Sequence, residues 1–237
     1  MTTHDDGHVG LGRLKGRTVL VFGAGSSGPG WGNGKAAAVA FAREGATVVA
    51  VDVAIAAARE TAEIIASEGG TCLALAADVT ASAEVEGIVA TTVERFGRID
   101  CLFNNVGGKD RGTLETVTLE DFTYSMTLLL GSVVLGIRYV APIMKAQGSG
   151  CIINNSSVAA IRMNQGGYLY SAAKAGVTHI TRVAGTQLGP FGIRVNSISP
   201  GAIATPIFWG GSEVANTLTP EVNERKMEKL MKSLAKA

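Results

Sequence analysis

A tyrosine, a lysine and a serine in this chain could together carry acid–base chemistry. Tyr170 and Lys174 are four residues apart in an Ala-rich segment whose pattern predicts a helix, so their side chains share one face. A free tyrosine has a pKa of about 10 and is a poor base at neutral pH, but a neighbouring ammonium stabilises the phenolate. Ser157 lies just past the predicted strand Cys151–Asn155, where open α/β sheets bind ligands. Since a Tyr-x-x-x-Lys pair alone is common on helices, its specificity depends on the motifs around it.

A glycine-rich turn after the first predicted strand is suited to a dinucleotide. It runs from Gly23 to Gly34 and contains six glycines, which permit a tight turn and a close approach of backbone amides to a pyrophosphate. Asp52 ends the second predicted strand eighteen residues after Gly34, near the spacing of the acid that binds adenosine ribose hydroxyls. Because a carboxylate repels a 2′-phosphate, we expect NAD rather than NADP. Asp52 could also cap the helix that follows.

Two other chemistries fit the sequence less well. A phosphate-loop nucleotidase needs a hydroxyl residue after its Gly-Lys pair, and here Ala36 follows Gly34 and Lys35. No Cys/His cluster has the spacing of metal ligands, so we predict no metal site. Three cysteines fall in or beside predicted strands, and we interpret them as small buried hydrophobes: Cys72, Cys101 and Cys151.

Short β-branched runs alternate along the chain with longer, Ala-rich runs of helical periodicity. The predicted strands are Thr18–Phe22, Thr47–Val51, Cys72–Ala76, Ile99–Phe103, Cys151–Asn155 and Ile193–Ile198. The predicted helices are Lys35–Glu44, Ala54–Glu68, Ala83–Phe96, Leu119–Lys145 and Tyr168–Gly189. The strands are nearly all apolar, as expected when both faces of a parallel sheet are covered. The pattern therefore predicts an α/β fold, a doubly wound parallel sheet in a three-layer sandwich.

In combination, these motifs resemble those of the short-chain dehydrogenase/reductase family in its NAD-dependent, Tyr-x-x-x-Lys form. The resemblance covers nearly everything from Lys15 to Pro206 and implies a Rossmann-like domain. The motifs occur in family order: the glycine-rich turn, Asp52, Asp78-Val79, Asn104-Asn105-Val106-Gly107, Ser157, Tyr170 with Lys174, and Asn196 through Pro200-Gly201 to Thr205-Pro206.

The resemblance implies hydride transfer between a substrate carbinol carbon and the nicotinamide C4 of NAD. Tyr170 would exchange the hydroxyl proton, Ser157 would hydrogen-bond the substrate oxygen, and Lys174 would tune the tyrosine and hold the nicotinamide ribose. Asp78 and Val79 would contact the adenine. The implied cofactor-binding set is Gly23, Gly25, Ser27, Gly32, Asn33, Gly34, Asp52, Asp78, Val79, Asn105, Val106, Gly107, Tyr170, Lys174, Pro200, Gly201, Ile203 and Thr205.

The sequence departs from the family pattern at three places. The turn is longer than usual, so that Ser26–Trp31 is largely an inserted loop, and Trp31 could cover the adenosine, wall the pocket or simply pack in the loop. Leu129 falls where the family usually has an asparagine whose backbone helps to hold a proton-relay water. The family's last strand is missing, and Thr219–Ala237 instead has the pattern of an amphipathic helix.

We predict an NAD-dependent oxidoreductase that interconverts a secondary alcohol and a ketone. The expected pocket loops Val106–Arg111, Arg162–Gly167 and Ile207–Gly211 are of mixed apolar character, which suggests an aliphatic, cyclic or aromatic frame. The alternative is a non-catalytic NAD(H)-binding sensor or assembly partner, which Leu129 and the missing strand would favour. A protein that only binds has no chemical need for the Ser-Tyr-Lys set.

Composition limits the partners and the compartment. The chain has 237 residues, with 21 Lys+Arg against 20 Asp+Glu, and this near-neutral balance disfavours nucleic acid. Residues 1–12 are predicted to be a flexible tail without a signal peptide, and 13–237 one domain that ends in a helix at 219–237. The longest apolar stretch, Met126–Ile137, is too short to span a bilayer. We expect a cytoplasmic homodimer or homotetramer that acts on a small alcohol or carbonyl compound.

Overall fold

Six short, mostly apolar runs form the strands of one parallel sheet. They are β1 (Thr18–Phe22), β2 (Thr47–Asp52), β3 (Thr71–Ala76), β4 (Cys101–Asn104), β5 (Gly150–Asn155) and β6 (Ile193–Ile198). The computed structural model describes residues 10–109, 111–163, 166–203, 205–209, 222, 225, 228 and 229. Each strand agrees with a predicted one to within two residues at either end.

The Ala-rich runs form helices whose ends carry recognisable stop and start signals. The helices are α1 (Asn33–Arg43), α2 (Ile55–Ser67), α3 (Ser82–Phe96), α4 (Leu119–Met126), α5 (Ser132–Gln147) and α6 (Tyr168–Leu188). A capping box starts α4, since the Thr118 hydroxyl accepts from the Asp121 amide and the Asp121 carboxylate accepts from the Thr118 amide. Gly97 and Gly148 end α3 and α5 in the left-handed conformation.

The single long helix predicted from Leu119 is divided by a π-helical turn at Thr127–Gly131. Among the described residues, the run Leu119–Gln147 is long and apolar enough to cross a membrane by length and composition alone, a test that the core helix of a globular protein also passes. Its α5 part packs on β4 and β5 and against α3 and α6. Apolar residues that lie against a sheet in this way are typical of the core helix of a globular domain.

The order of the strands in the sheet is β3-β2-β1-β4-β5-β6. β1 is therefore flanked by β2 on one side and by β4 on the other, and the direction of winding reverses there. A crevice opens at such a reversal beyond the carboxyl ends of the strands, because the following connections leave to opposite faces. This topology positions the turn after β1 beside the residues that follow β4.

Alternate residues of the central strands supply two separate cores. Leu20 and Phe22 of β1 point to the face that α3, α5 and α6 cover, whereas Val19 and Val21 point to the face that α1 and α2 cover. These four side chains are at most 1% exposed. The predicted three-layer, doubly wound sandwich is confirmed, and both faces of β1 are buried as its apolar sequence indicates.

The last described strand differs from the prediction that the strands are covered on both faces. In β6, Ile193 and Val195 are buried, whereas Arg194 and Asn196 are exposed. No seventh strand occurs within the part of the chain that the structure describes, so β6 forms an edge. The expected tail lies outside the described residues up to position 9. The expected C-terminal helix lies outside them too, apart from positions 222, 225, 228 and 229, which are helical.

Candidate active site

A cavity of about 1420 Å³ lies at the carboxyl ends of β1, β4 and β5. It is lined by Ser157 and by most of the expected cofactor set, namely Gly23, Gly25, Ser27, Gly32, Asn33, Gly34, Asp52, Asp78, Val79, Asn105, Val106, Gly107, Tyr170, Lys174, Gly201 and Thr205. Pro200 and Ile203 line a recess of about 160 Å³ that also contacts Ser157 and Tyr170. The structure thus brings the expected catalytic and cofactor-binding residues together.

Lys174 is a buried ammonium group next to Tyr170. The two residues lie on the first turns of α6, and Lys174 Nζ is 5.7 Å from the centre of the Tyr170 ring. Lys174 is 2% exposed, and Nζ donates a hydrogen bond of 2.8 Å to the carbonyl oxygen of Asn155. Burial lowers the pKa of Lys174 to about 8, because desolvation disfavours the charged form. A lysine with this pKa can gain or lose its proton near neutral pH.

Ser157 begins a short helical turn at the end of β5. Its hydroxyl oxygen accepts a hydrogen bond of 3.1 Å from the amide of Ala159, which fixes the side chain. The residue is 7% exposed and lines both the cavity and the recess. Its hydroxyl proton remains available for an oxygen that enters the cavity beside Tyr170.

A chain of asparagine side chains connects the strands beneath the cavity, and the sequence predicted a role for Asn105 but not the hydrogen bonds of this chain. Asn155 Nδ2 donates to Asn105 Oδ1 at 2.9 Å, and Asn105 Nδ2 donates to the Gly23 carbonyl at 2.9 Å. A second chain links Asn104 to Asn154 at 2.8 Å and Asn154 to Thr181 at 2.9 Å. The available signal was a pair of asparagines ending an otherwise apolar strand, because buried amides need partners.

The glycine-rich turn has the shape of a cradle for a dinucleotide. A Cβ on Gly34 would collide with the Gly23 carbonyl oxygen and lie 2.5 Å from Asn105 Nδ2, so only glycine fits there. Gly23 has a φ of +73°, which favours glycine in the first position of the turn. Ser26 Oγ is buried without a hydrogen-bond partner, and so is Asn155 Oδ1. Unpaired polar atoms at the wall of a glycine-lined cavity fit a polar ligand such as a pyrophosphate or a ribose.

Asp52 both anchors the turn and faces the cavity. Its Oδ2 accepts from the Gly25 amide at 3.0 Å, and its Oδ1 accepts from the Ala54 amide at 3.1 Å. The N-cap of α2 is Ala54, so the alternative that Asp52 caps this helix is wrong. Because each carboxylate oxygen has two acceptor positions, Asp52 keeps one on each oxygen for ligand hydroxyls.

The inserted part of the turn is held by a buried lysine. Lys35 is 1% exposed, donates to the Gly30 carbonyl at 3.1 Å and pairs with Glu60 at 2.7 Å. Trp31 is 48% exposed and does not line the cavity. It therefore forms neither a wall of the pocket nor a cover over the expected adenosine site. The lysine therefore ties the inserted loop to α2.

Comparison with known proteins identifies the family. A family model described as enoyl-(acyl carrier protein) reductase matches residues 29–233. Levodione reductase from Leifsonia aquatica is 43% identical over 201 residues, which are 82% of this chain and 72% of that protein. The chain belongs to the short-chain dehydrogenase/reductase family.

Solved structures of short-chain dehydrogenase/reductases have the same fold. The crystal structure of levodione reductase has a TM-score of 0.81 to this chain, with 37% identity over 92% of this chain and 83% of that one. A 7α-hydroxysteroid dehydrogenase complexed with NADH and 7-oxo glycochenodeoxycholic acid has a TM-score of 0.78, with 33% identity over 91% of this chain and 80% of that one. The chain is therefore an oxidoreductase of CH–OH groups, which confirms the enzyme prediction over a binding-only protein.

Two features of this short-chain dehydrogenase/reductase concern the long helix. Leu129, at the usual asparagine position, is fully buried and does not line the cavity, whereas its neighbour Leu128 does. The π-helical turn at Thr127–Gly131 encloses this position, and the Ser132 hydroxyl donates to the Leu128 carbonyl at 2.6 Å. π-Helical turns occur often at functional sites, and this one faces α6 near the cavity.

The other side of the cavity is lined partly by the expected pocket loops and partly by residues that were not predicted. Of the expected loops, Val106–Lys109, Arg111, Gly166, Gly167 and Ile207 line it, while residues 110, 164, 165, 210 and 211 lie outside the described part of the chain. Helix α4 adds Glu120, Thr123 and Tyr124, which were not predicted. The Arg111 guanidinium lies 3.7 Å from the centre of the Tyr124 ring and so stacks on it.

Proposed function

We propose that this enzyme interconverts a secondary alcohol and a ketone with NAD as cofactor and Tyr170 as the acid–base group. The observation that carries the proposal is that Ser157 and Tyr170 line the same cavity and the same recess, with Lys174 beneath the tyrosine. A carbonyl oxygen placed between the two hydroxyls can accept hydrogen bonds from both. That geometry suits a reaction at the carbon of this oxygen.

Ser157, Tyr170 and Lys174 each have a separate role in the reaction. Ser157, held through its bond with the Ala159 amide, donates its hydroxyl proton to the substrate oxygen and orients it. Tyr170 takes the proton of an alcohol or returns it to a ketone. The Lys174 ammonium stabilises the phenolate form of Tyr170, since opposite charges attract in a dry site. When bound, the nicotinamide supplies the carbon that accepts or donates the hydride.

Gly166 is a positioning residue for this tyrosine. A Cβ on Gly166 would lie 2.8 Å from Tyr170 Cδ1, so the approach of the backbone before α6 to the edge of the ring requires glycine there. A ring held in this way presents its hydroxyl in one direction, which proton transfer requires.

Several features support NAD as the cofactor. Asp52 lies at the end of β2 in the cavity wall, where a 2′-phosphate would meet a carboxylate. The 7α-hydroxysteroid dehydrogenase relative was solved with NADH. We expect Asp78 and Val79 to flank the adenine, and Pro200, Gly201, Ile203 and Thr205 to flank the nicotinamide.

The cavity wall and the relatives both support a substrate class. The wall is mixed, with Leu128 and Ile207 among polar residues such as Thr123 and Glu120. Levodione reductase and a 7α-hydroxysteroid dehydrogenase are both named for ketone or hydroxyl chemistry. We propose a secondary alcohol or ketone on a cyclic or aliphatic frame.

The test is turnover measured by the ultraviolet absorbance of NADH. The purified full chain is offered NAD with a panel of secondary alcohols, and NADH with ketones that include levodione and 7-oxo glycochenodeoxycholic acid. We expect turnover that Tyr170→Phe lowers by about 10²–10⁴-fold, with NADH affinity retained. NADH binding without turnover on the whole panel would contradict the proposal, and so would an unimpaired Tyr170→Phe variant.

We also propose a homodimer or homotetramer in the cytoplasm. Exposed apolar side chains on α4, α5 and α6, among them Phe122, Val134, Tyr168 and Val183, supply surfaces that a second copy can cover. Sedimentation of the purified chain tests this assembly, and a monomer at all concentrations would contradict it. The packing of α5 on the sheet supports a location in water rather than in a membrane.

A further inference from the structure

Two of the three cysteines face each other across neighbouring strands, away from the cavity. Cys101 and Cys151 are register partners on β4 and β5. Register partners in a parallel pair project from the same face of the sheet, so the two side chains lie beside each other. Both are free thiols and half-buried.

The separation of the strands suits a covalent bond between these thiols. Neighbouring strands lie about 4.8 Å apart, and disulfides form between residues whose Cα atoms are about 4.4–6.8 Å apart. The spacing of neighbouring strands therefore lies within the Cα separation that a disulfide spans.

An arginine on the third strand completes the cluster. Arg194 of β6 is the register partner of Cys151, so a positively charged residue lies next to that thiol. The neighbouring Cys101 side chain and then the charge of Arg194 lower the pKa of Cys151, although burial opposes them. The neighbouring Cys151 side chain and then burial raise the pKa of Cys101. The cluster thus contains one thiol suited to attack and one suited to remain protonated.

Within the described part of the chain, both cysteines are partly exposed. The helices that contact β5 and β6 are α5 and α6, which lie on the opposite face of the sheet. Arg194 is exposed, as is Asn196 two residues further along β6. Both cysteines lie at the amino ends of their strands, whereas the cavity lies at the carboxyl ends. The cluster is therefore separate from the site of the proposed reaction.

We propose that Cys101, Cys151 and Arg194 form an oxidant-responsive dithiol site that takes a hydroperoxide. The Cys151 thiolate attacks the hydroperoxide, so that its O–O bond breaks, an alcohol or water leaves and Cys151 becomes a sulfenic acid. The Cys101 thiol then attacks the Cys151 sulfur and releases water, which closes a disulfide between β4 and β5. The two thiols lose two electrons and two protons, and the hydroperoxide gains them.

The test is treatment of the full chain with hydrogen peroxide, followed by intact and peptide mass measurement. We expect the mass to fall by two hydrogen atoms, the Cys101 and Cys151 peptides to become linked, and dithiothreitol to reverse the change. Cys101→Ser stops the reaction at the sulfenic acid, which dimedone traps on Cys151. Cys72→Ser is the matched control and still forms the disulfide, because Cys72 lies on β3 and burial raises its pKa to about 11.

The rate of the first step tests the arginine. Arg194→Gln should slow the reaction of Cys151 with peroxide by roughly tenfold, since one unit in pKa changes the thiolate fraction tenfold. Circular dichroism of each variant checks that it is folded. An unchanged mass, trapping of dimedone on Cys72 instead of Cys151, a link between two chains, or an unaltered Arg194→Gln rate would each overturn the proposal.

Discussion

The ammonium of Lys174 donates to the backbone carbonyl of Asn155, nineteen residues earlier in the chain, at 2.8 Å. This bond joins the first turns of α6 to the end of β5 and brings a lysine into a site that is nearly closed to water. The neighbouring Ser156 strengthens the joint, since its hydroxyl donates to the Lys174 carbonyl at 2.9 Å. Ser156 therefore positions α6, as expected of a hydroxyl at the end of a strand rather than of a second catalytic group.

The buried ammonium makes stability depend on pH in a defined direction. Burial lowers the pKa of Lys174 from 10.5 to about 8 in the folded chain. Between these values the unfolded chain holds a proton that the folded chain has released, so the free energy of unfolding rises with pH. We expect wild type to gain stability relative to Lys174→Met between about pH 7 and about pH 10, by on the order of 3 kcal/mol. Urea titration of the cofactor-free proteins at each pH measures the difference.

A second variant controls for the shape of the side chain in this experiment. Lys174→Arg keeps its charge at every pH tested, as Met keeps its neutrality, so the two variants should show parallel pH profiles. A difference between wild type and Lys174→Met that stays constant with pH would show that the lysine is not desolvated in the way its burial indicates.

Asn155→Ala is expected to weaken cofactor binding as well as stability. The change removes the bond to Asn105 Oδ1 and leaves that oxygen buried without a partner, which costs about 1–3 kcal/mol. Asn105 in turn holds the Gly23 carbonyl, so the glycine-rich turn loses its support. Thermal unfolding and NADH titration measure the two effects.

The matched control for that change is Asn154→Ala. Asn154 is equally an amide at the end of β5, but it links Asn104 to Thr181 and makes no bond to the turn. It should lower stability by a similar amount, while the affinity for NADH changes less than in Asn155→Ala. Equal losses of affinity in both variants would mean that the asparagine chains only stabilise the sheet.

The sequence could predict those features of the site that depend on the spacing of nearby residues. Tyr170 and Lys174 share a helix face because four residues make about one turn, and Asp52 follows its strand by count alone. The bond from Asn155 to Asn105 depends instead on the register of β5 against β4, which joins residues fifty positions apart. The same register brings Cys101 to Cys151, and no property of either cysteine alone indicates it.

The long helix shows a second kind of limit. Leu128, Leu129 and Leu130 are apolar in any helical geometry, so their pattern does not distinguish an α-helix from a π-helical turn. The turn is determined by tertiary packing, since Leu130 contacts α6 at Gly176, where a Cβ would lie 3.0 Å from Leu130 Cδ2. Lys35 is similar, because its burial depends on an inserted loop whose path the sequence does not specify.

Gly34→Ala is expected to abolish cofactor binding and to destabilise the fold. The added methyl group collides with the Gly23 carbonyl, which is a backbone group, and with Asn105 Nδ2, which is held by its hydrogen bond to that carbonyl. Overpacking of this kind costs about 1–3 kcal/mol.

Gly87→Ala is the control, because Gly87 is exposed in α3 with nothing within 4 Å of its added Cβ. Its free energy of unfolding should rise by about 0.5–1 kcal/mol. Thermal unfolding and NADH titration of both variants give the comparison, and a Gly34→Ala protein that binds NADH normally would contradict the cradle.

Asp52→Asn is expected to shift cofactor preference from NAD towards NADP. The change removes a negative charge but keeps an amide oxygen that can still accept from Gly25 or Ala54, so the turn should remain folded. Two like charges about 4 Å apart repel by about 4 kcal/mol at an effective dielectric constant of 20, and solvent screening reduces this. The ratio of kcat/KM for NADP to that for NAD should therefore rise by at least about tenfold.

Asp78→Asn is the matched control, since Asp78 also lines the cavity but binds Thr80, and its change should lower both values without altering their ratio. If Asp52→Asn leaves the ratio unchanged, or if wild type already prefers NADP, then Asp52 supports the turn and does not select the cofactor.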